Sequence, residues 1–103
     1  MPPREFQLRV KGSALHVREL GSGPTVLFLH GAGGADSLVP CLAPLAANYR
    51  LLIPDHPGFG ASEDPDWLDT IHDAAYAYLD LCDELDLRDV HLAGTSLGGW
   101  IAL

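Results

Sequence analysis

This sequence lacks several features that membrane, secreted and nucleic-acid-binding proteins need. It has no run of about 18 apolar residues, so we expect no membrane span, and its first ten residues hold no apolar stretch long enough for a signal peptide. The sequence has six basic and 14 acidic residues. The resulting net charge of −8 argues against nucleic acid or an anionic membrane as a partner.

Cysteine is also scarce. Cys41 and Cys82 are the only two, and neither spacing suggests a metal site. Both fall in segments that read as helical. We therefore expect buried, reduced thiols in a cytoplasmic protein.

What the sequence does contain is a series of short apolar segments separated by loops. Alternating residues over 5–10 and 14–20, with Lys11-Gly12-Ser13 as the turn, predict an antiparallel hairpin. Continuous apolar runs at 25–29, 49–53 and 90–93 predict strands covered on both faces. The 103 residues suffice for one α/β domain with a mostly parallel sheet and flanking helices.

Helices are predicted between these strands. The first begins at Asp36 or Ser37 and runs to about Ala47, with Pro44 expected to kink or shorten it. The longest begins at Asp66, and its acidic residues mark a solvated face. Its apolar face is formed by residues at helical spacing: Trp67, Ile71, Ala74, Tyr78, Leu81 or Cys82, and Leu85.

The stretch Gly94-Thr95-Ser96-Leu97-Gly98 joins the last strand to the last helix in one tight turn. Cβ atoms at positions 94 and 98 would collide with the turn and with the neighbouring strand, and glycine occupies both positions. The residue at the apex is forced into a strained conformation above the sheet edge. Because that residue is Ser96, the turn presents a hydroxyl that can attack a carbonyl.

Two other loops follow the carboxyl ends of predicted strands. One is His30-Gly31-Ala32-Gly33-Gly34, and the other spans residues 55–62, with the sequence DHPGFGAS. The carboxyl ends of parallel strands meet at one edge of a sheet, so both loops should lie near Ser96. Attack by Ser96 creates an oxyanion, which the backbone N–H groups of Leu97 and of either Ala32 or Gly33 could stabilise.

Together, these three loops resemble the N-terminal half of the α/β-hydrolase family, with a His-Gly oxyanion loop, a D-x-P-G-x-G-x-S loop and a nucleophile elbow. The resemblance implies a sheet of order 1-2-4-3-5. It assigns the nucleophile to Ser96 and the oxyanion donors to Leu97 and Ala32. It implies no cofactor and no metal. The loops are supported by a set of flanking residues: His30, Gly31, Gly33, Gly94 and Gly98.

The family places its triad acid and histidine after the nucleophile, whereas this sequence stops at Leu103. We therefore expect residues 1–103 to be a truncated domain without the C-terminal strands, the cap and both triad partners. Only His30 and His56 lie at the active edge. We expect His30 to hold the oxyanion loop, His56 to be exposed at the surface, and Asp55 to anchor its loop.

A serine nucleophile also narrows the reaction. Family members that open epoxides or displace halide need a carboxylate there, because a serine would be left as an inert ether. Ser96 therefore indicates acyl chemistry, with hydrolysis of small-molecule esters as the default.

Three hypotheses of function remain open. The first is a serine hydrolase that is part of a longer protein, the 103-residue chain alone having little activity. The second is a catalytically silent fragment or interaction module, whose unpaired last strand would drive self-association. The third is an acyltransferase or C–C bond hydrolase on the same scaffold.

Overall fold

The computed structural model describes residues 4–36, 38–62, 64–65, 68 and 70–103. Within them, one mixed sheet of five strands has the order β1-β2-β4-β3-β5, as predicted. The elements, in chain order, are β1 (Arg4–Val10), β2 (Ser13–Leu20), β3 (Thr25–Leu29), α1 (Val39–Leu42), a 3-10 helix (Ala43–Ala47), β4 (Arg50–Pro54), α2 (Ile71–Glu84), β5 (His91–Gly94) and α3 (Leu97–Ala102).

The predicted hairpin of β1 and β2 is confirmed. The strands pair antiparallel from Arg4 opposite Glu19 to Val10 opposite Ser13. Lys11 and Gly12 join them with φ angles of 52° and 79°. Two consecutive positive φ angles are typical of the type I′ turn, whose twist matches that of the flanking strands.

The parallel core consists of β3, β4 and β5. β3 pairs in parallel with β4 on one side and with β5 on the other. Alternate residues of β4 enter two apolar clusters: Leu52 packs on the side of α2 and α3, and Leu51 and Ile53 on the side of α1. This burial on both faces is what the continuous apolar run predicts, and it fixes the carboxyl ends of the three strands at one edge.

The helix predicted for 36–47 is shorter than expected. It begins at Val39 after Leu38, which makes no side-chain cap, and it becomes a 3-10 helix from Ala43. Pro44 explains the change, because proline has no N–H to continue an α-helix. Asp36 is not a cap, since its carboxylate pairs with Arg18. The alternative cap, Ser37, lies outside the described residues.

The longest helix, α2, begins at Ile71 rather than at Asp66. Thr70 and Asp73 form a capping box, in which each side chain accepts the other residue's backbone N–H. Asp66, Trp67 and Asp69, which the sequence prediction placed in the helix, lie outside the described residues. Of the predicted apolar face, Ala74, Tyr78 and Leu81 are buried, and Ala77 is buried with them. The other described members are partly buried against the same core: Ile71, Cys82 and Leu85.

The prediction that both cysteines are buried is wrong. Cys41 is exposed, and Cys82 is only half-buried, although both thiols are free. Burial, with a smaller contribution from Asp83, raises the pKa of the Cys82 thiol. Along β2, Arg18 is buried while Glu19 is half-buried, because loops cover the outer face of β2 at this end.

β5 lies at the edge of the sheet in the described part of the chain, with β3 as its only partner there. Apolar side chains near it are exposed, including Leu79 at 61%, Leu92 at 50% and Trp100 at 63%. Of the described helices, none is long and apolar enough to cross a membrane.

Candidate active site

Ser96 occupies the apex of the turn between β5 and α3. Its φ of 52° and ψ of −114° lie outside the regions that L-residues ordinarily adopt. The turn is closed by hydrogen bonds from the amide of Gly98 to the Thr95 carbonyl (2.9 Å) and from the amide of Trp100 to the Ser96 carbonyl (3.1 Å). These bonds hold the strained residue in place, so the predicted tight turn is confirmed.

The glycines at 94 and 98 are required by space. A Cβ on Gly94 would lie 2.5 Å from the carbonyl carbon of Gly98. A Cβ on Gly98 would overlap the carbonyl oxygen of Leu29 and lie 2.7 Å from that of His30. Both clashes are with backbone, which cannot move aside as a flexible side chain can. The two glycines therefore let α3 pack directly against the end of β3.

The loop of His30 to Gly34, which we call the His-Gly loop, passes beside this turn. A Cβ on Gly31 would lie 3.3 Å from the Thr95 carbonyl oxygen and 3.5 Å from the Cβ of Ser96. The amide of Gly34 donates to the Gly31 carbonyl (3.1 Å), so Ala32 and Gly33 form the tip of a closed turn. Both tip residues are exposed. The structure thus brings the His-Gly loop and Ser96 together at one edge, as predicted.

Ser96 and its neighbours have polar groups that the folded chain leaves available. Ser96 is exposed, and its side chain makes no capping bond to α3. Among the described residues, the amides of Leu97 and Ala32 donate to no backbone carbonyl outside the regular elements. Within the described residues, these two N–H groups therefore have no backbone acceptor outside the regular elements, and the hydroxyl does not cap the helix.

The two histidines at this edge are, by contrast, fully engaged. His30 and His56 are 0% and 2% exposed, so the prediction that His56 lies at the surface is wrong. The amide of His56 donates to Nε2 of His30 (2.9 Å), and Nδ1 of His30 donates to the Gly31 carbonyl (2.5 Å). Nε2 of His56 donates to the His30 carbonyl (2.6 Å), and the Tyr78 hydroxyl bonds Nδ1 of His56.

These bonds define the charge state of the pair. Nε2 of His30 must accept from the amide of His56 while its Nδ1 donates, which only the neutral ring does. Burial, with a smaller effect of His30, lowers the pKa of His56 to about 4. Burial, together with the Asp55 carboxylate, raises the pKa of the Tyr78 hydroxyl well above its usual range. The hydroxyl of Tyr78 therefore keeps its proton and can donate it to His56.

Asp55 anchors the second loop, as the sequence predicts. Its carboxylate, which is nearly fully buried, accepts from Arg18 (2.8 Å) and from the amide of Ala61 (3.0 Å). Its carbonyl accepts from the Ser62 hydroxyl (2.8 Å). Burial lowers the pKa of Arg18, but the ion pairs with Asp55 and Asp36 outweigh it, and the net shift is upward. Arg18 thus ties this loop to β2.

Sequence reasoning missed Arg18 and Tyr78 as partners of these loops. Tyr78 gave a weak signal, since its place on the buried face of α2 requires a partner for its hydroxyl. Arg18 gave none, because a charged residue in an alternating strand is ordinarily placed on the solvent side.

An apolar cavity of about 440 Å³ lies between the second loop and the helices α2 and α3. It reaches Leu97, next to the turn. Its lining consists of His56, Pro57, Phe59, Leu68, Thr70, Ile71, Ala74, Leu97 and Ile101. No group of three or more His, Cys, Asp or Glu side chains within the described ranges is placed to hold a metal ion.

Known proteins resemble this chain over most of its length. It is 36% identical over 96 residues to a 2-hydroxy-6-oxo-6-phenylhexa-2,4-dienoate hydrolase of Burkholderia cepacia, which covers 86% of this chain and 33% of that protein. It is 37% identical over 106 residues to a haloalkane dehalogenase of Mesorhizobium japonicum, with coverages of 97% and 33%. The chain thus spans about a third of the length of these curated relatives.

Solved structures agree in backbone geometry. A loop variant of the haloalkane dehalogenase DbeA from Bradyrhizobium elkanii superimposes with a TM-score of 0.89 at 30% identity, covering 99% of this chain and 35% of that one. A family model described as the alpha/beta hydrolase fold matches residues 24–103, which include all three loops of the edge. The family model, the sequence relatives and the solved structures therefore all indicate the same family. The chain belongs to the alpha/beta hydrolase fold family.

Proposed function

We propose that this chain carries the nucleophile and the oxyanion hole of a serine hydrolase that acts on carbonyl compounds, small-molecule esters first. Ser96 attacks the carbonyl carbon, the C=O electron pair moves onto oxygen, and the tetrahedral intermediate expels the alcohol to leave an acyl-serine. Water then attacks the acyl-serine and releases the acid. The observation that carries the proposal is the exposed Ser96 hydroxyl at the strained apex of the turn.

Two amides support the proposal. An oxyanion beside Ser96 needs N–H donors that are already oriented. Leu97 follows Ser96 directly and Ala32 follows Gly31, which lies beside the turn, and neither amide donates to a described backbone carbonyl outside the regular elements. Removing one such donor typically costs about 10² to 10³ in turnover. The His-Gly loop is held by bonds within the chain, so its amides need no reorganisation when the charge forms.

A serine at the apex favours acyl chemistry over displacement of halide. Displacing halide from carbon with a serine oxygen would form an alkyl ether, which has no carbonyl for water to attack. An acyl-serine has that carbonyl and turns over. We therefore propose acyl chemistry for this chain, although one relative is named a haloalkane dehalogenase.

The general base must come from elsewhere in the protein. Both ring nitrogens of His30 and His56 are engaged in buried bonds, so neither ring is available to take the Ser96 proton. We propose that a histidine outside residues 1–103 serves, and that the 103-residue chain alone has little activity, since triad members act as a unit.

Cleavage of a C–C bond next to a ketone is the second candidate, because the same acyl-serine would form. It is favoured by the relative from Burkholderia cepacia, which is named for a 2-hydroxy-6-oxo-dienoate substrate. In that case the leaving group is a carbanion, which must take up a proton as it leaves. In ester cleavage the leaving group is an alkoxide instead.

The test uses the full-length gene product with a nitrophenyl ester series and, in parallel, a 2-hydroxy-6-oxo-dienoate. We expect Ser96→Ala to lower kcat/KM for the ester by at least about 10³-fold. Ser13→Ala, in the distant hairpin, is the matched control and should change it less than about twofold. Ester turnover that survives Ser96→Ala would refute the proposal. Turnover of the dienoate alone would select the second candidate.

A further inference from the structure

His56 is a buried titratable side chain that the proposed reaction does not use. Its amide and its ring both contact His30, one at the side chain and one at the carbonyl. The two ring centroids are 3.7 Å apart, with the ring planes tilted by 33°. His56 thus contacts both the ring and the backbone carbonyl of His30, the first residue of the His-Gly loop.

We propose that His56 and Tyr78 are positioning residues that set the place of the His-Gly loop, and with it the Ala32 amide, relative to Ser96. This inference rests on the proposed function for its catalytic consequence. Its structural part stands on the hydrogen bonds alone.

The direction of each hydrogen bond follows from the atoms involved. The carbonyl of His30 can only accept, so Nε2 of His56 carries the proton. Nδ1 of the neutral ring must then accept, and the hydroxyl of Tyr78 is its donor. Without that hydroxyl, Nδ1 would be a buried acceptor with no partner, which favours displacement of the ring or entry of water.

His56 affects the position of the His-Gly loop through its contacts with His30. Nδ1 of His30 donates to the Gly31 carbonyl, and Gly31 lies so near the turn that a Cβ on it would come within 3.3 Å of the Thr95 carbonyl oxygen. Ala32 follows directly. A shift of the His30 ring would therefore move the peptide that carries the Ala32 amide.

Three other titratable groups bear on His56. The His30 ring lies against it and, after burial, lowers its pKa; Asp55 precedes it in the chain and has the opposite effect, and Tyr78 faces it from α2. The first test removes only the hydroxyl from this set, with Tyr78→Phe. Tyr76→Phe is the matched control, because Tyr76 lies on the same helix and is 57% exposed.

Two measurements are made on the full-length protein. Amide hydrogen exchange of Gly34, whose N–H donates to the Gly31 carbonyl, should become about tenfold faster in Tyr78→Phe. The kcat for the ester should fall about three- to tenfold with KM within about twofold, since a donor displaced by a fraction of an ångström loses stabilisation of the transition state. Tyr76→Phe should match the wild type in both. Exchange and kcat in Tyr78→Phe equal to those of Tyr76→Phe would overturn the proposal.

A second pair of variants guards against misfolding. His56→Gln keeps a side-chain N–H that can reach the His30 carbonyl, whereas His56→Leu keeps none. We expect loop exchange to be slowest in the wild type, faster in the Gln variant and fastest in the Leu variant. Equal exchange in the Gln and Leu variants would contradict a positioning role for the ring.

Nitrogen-15 NMR of the His56 ring tests the tautomer directly. The proton should be on Nε2 at pH 7, and Tyr78→Phe should shift the Nδ1 resonance. A proton on Nδ1 would overturn the proposal. A wild type without Ser96-dependent turnover would refute the proposed function and the catalytic consequence, while the exchange rates would still decide whether Tyr78 holds the loop.

Discussion

The sheet edge contains two kinds of polar group that differ in how far their hydrogen bonds are satisfied. His30, His56 and Asp55 are buried and bonded within the chain. Ser96 and the tip residue Ala32 are exposed, with donors that nothing in the described chain uses. The comparison teaches that residues on one edge divide into anchors and candidates for reaction according to whether the fold has already used their hydrogen-bonding capacity.

The largest effect is expected at Gly98, the glycine where α3 meets the end of β3. Gly98→Ala should destabilise the protein by more than about 5 kcal/mol, because its Cβ would overlap the Leu29 carbonyl. Gly99→Ala, whose Cβ would lie 3.5 Å from the Gly94 carbonyl oxygen, should be neutral or stabilising by up to about 1 kcal/mol. Urea unfolding of both variants measures the difference. Equal stabilities would show that the turn relaxes and that the glycine is not required.

The next test compares the two carboxylates that pair with Arg18. Asp55→Asn should cost about 3 to 5 kcal/mol, because it breaks a buried ion pair. Asp36→Asn should cost less than about 1 kcal/mol, since the Asp36 side chain is 89% exposed. Thermal and urea unfolding report both. A similar cost for the two variants would remove the distinction between a buried anchor and a surface pair.

Because His56 is neutral in the folded protein, we expect the free energy of unfolding to depend on pH. Burial, and then His30, lower its pKa to about 4 in the folded protein, against about 6.5 when unfolded. The unfolded chain therefore binds the proton first as the pH falls. Stability should be retained above pH 6.5, decline by about 3 kcal/mol down to pH 4, and lose nothing more from this group below that.

His56→Gln should remove this contribution, and unfolding measured from pH 7 to pH 4 tests it. His72→Gln is the control, because His72 is exposed on α2. If the slope persisted in His56→Gln and disappeared in His72→Gln, the assignment to His56 would be wrong.

The smallest effect on stability is expected at Ser96, the proposed nucleophile. Ser96→Gly should raise the free energy of unfolding by about 1 kcal/mol, because glycine adopts a φ of 52° without strain. The same change should abolish turnover in the full-length protein. Ser13→Gly, in an ordinary strand position, should be destabilising instead. A destabilised Ser96→Gly would mean that the serine contributes to folding.

Local chemistry made much of this molecule predictable. The continuous apolar runs predicted β3 to β5 within one residue, and the spacing of Gly94 and Gly98 predicted the turn at Ser96. The positions of the three loops followed from the order of strands.

What could not be predicted depends on contacts between distant parts of the chain. His56 occupies a loop position that is polar in the sequence, and it is buried by contacts with His30 and Tyr78, which lie far from it in the chain. The start of α2 at Ile71 depends on whether Thr70 or an earlier aspartate caps the helix, and spacing alone does not decide between them. Arg18 becomes an anchor only because the loop after β4 folds over β2.

The most direct measurement is to treat the full-length protein with a fluorophosphonate, determine the mass of the intact product, and map the modified peptide. We predict one adduct per chain, on Ser96, because only an activated serine displaces fluoride from phosphorus and binds the resulting oxyanion. Ser96→Ala should stay unmodified. An adduct on another residue, or none on a protein that hydrolyses esters, would contradict the assignment of Ser96 as the nucleophile.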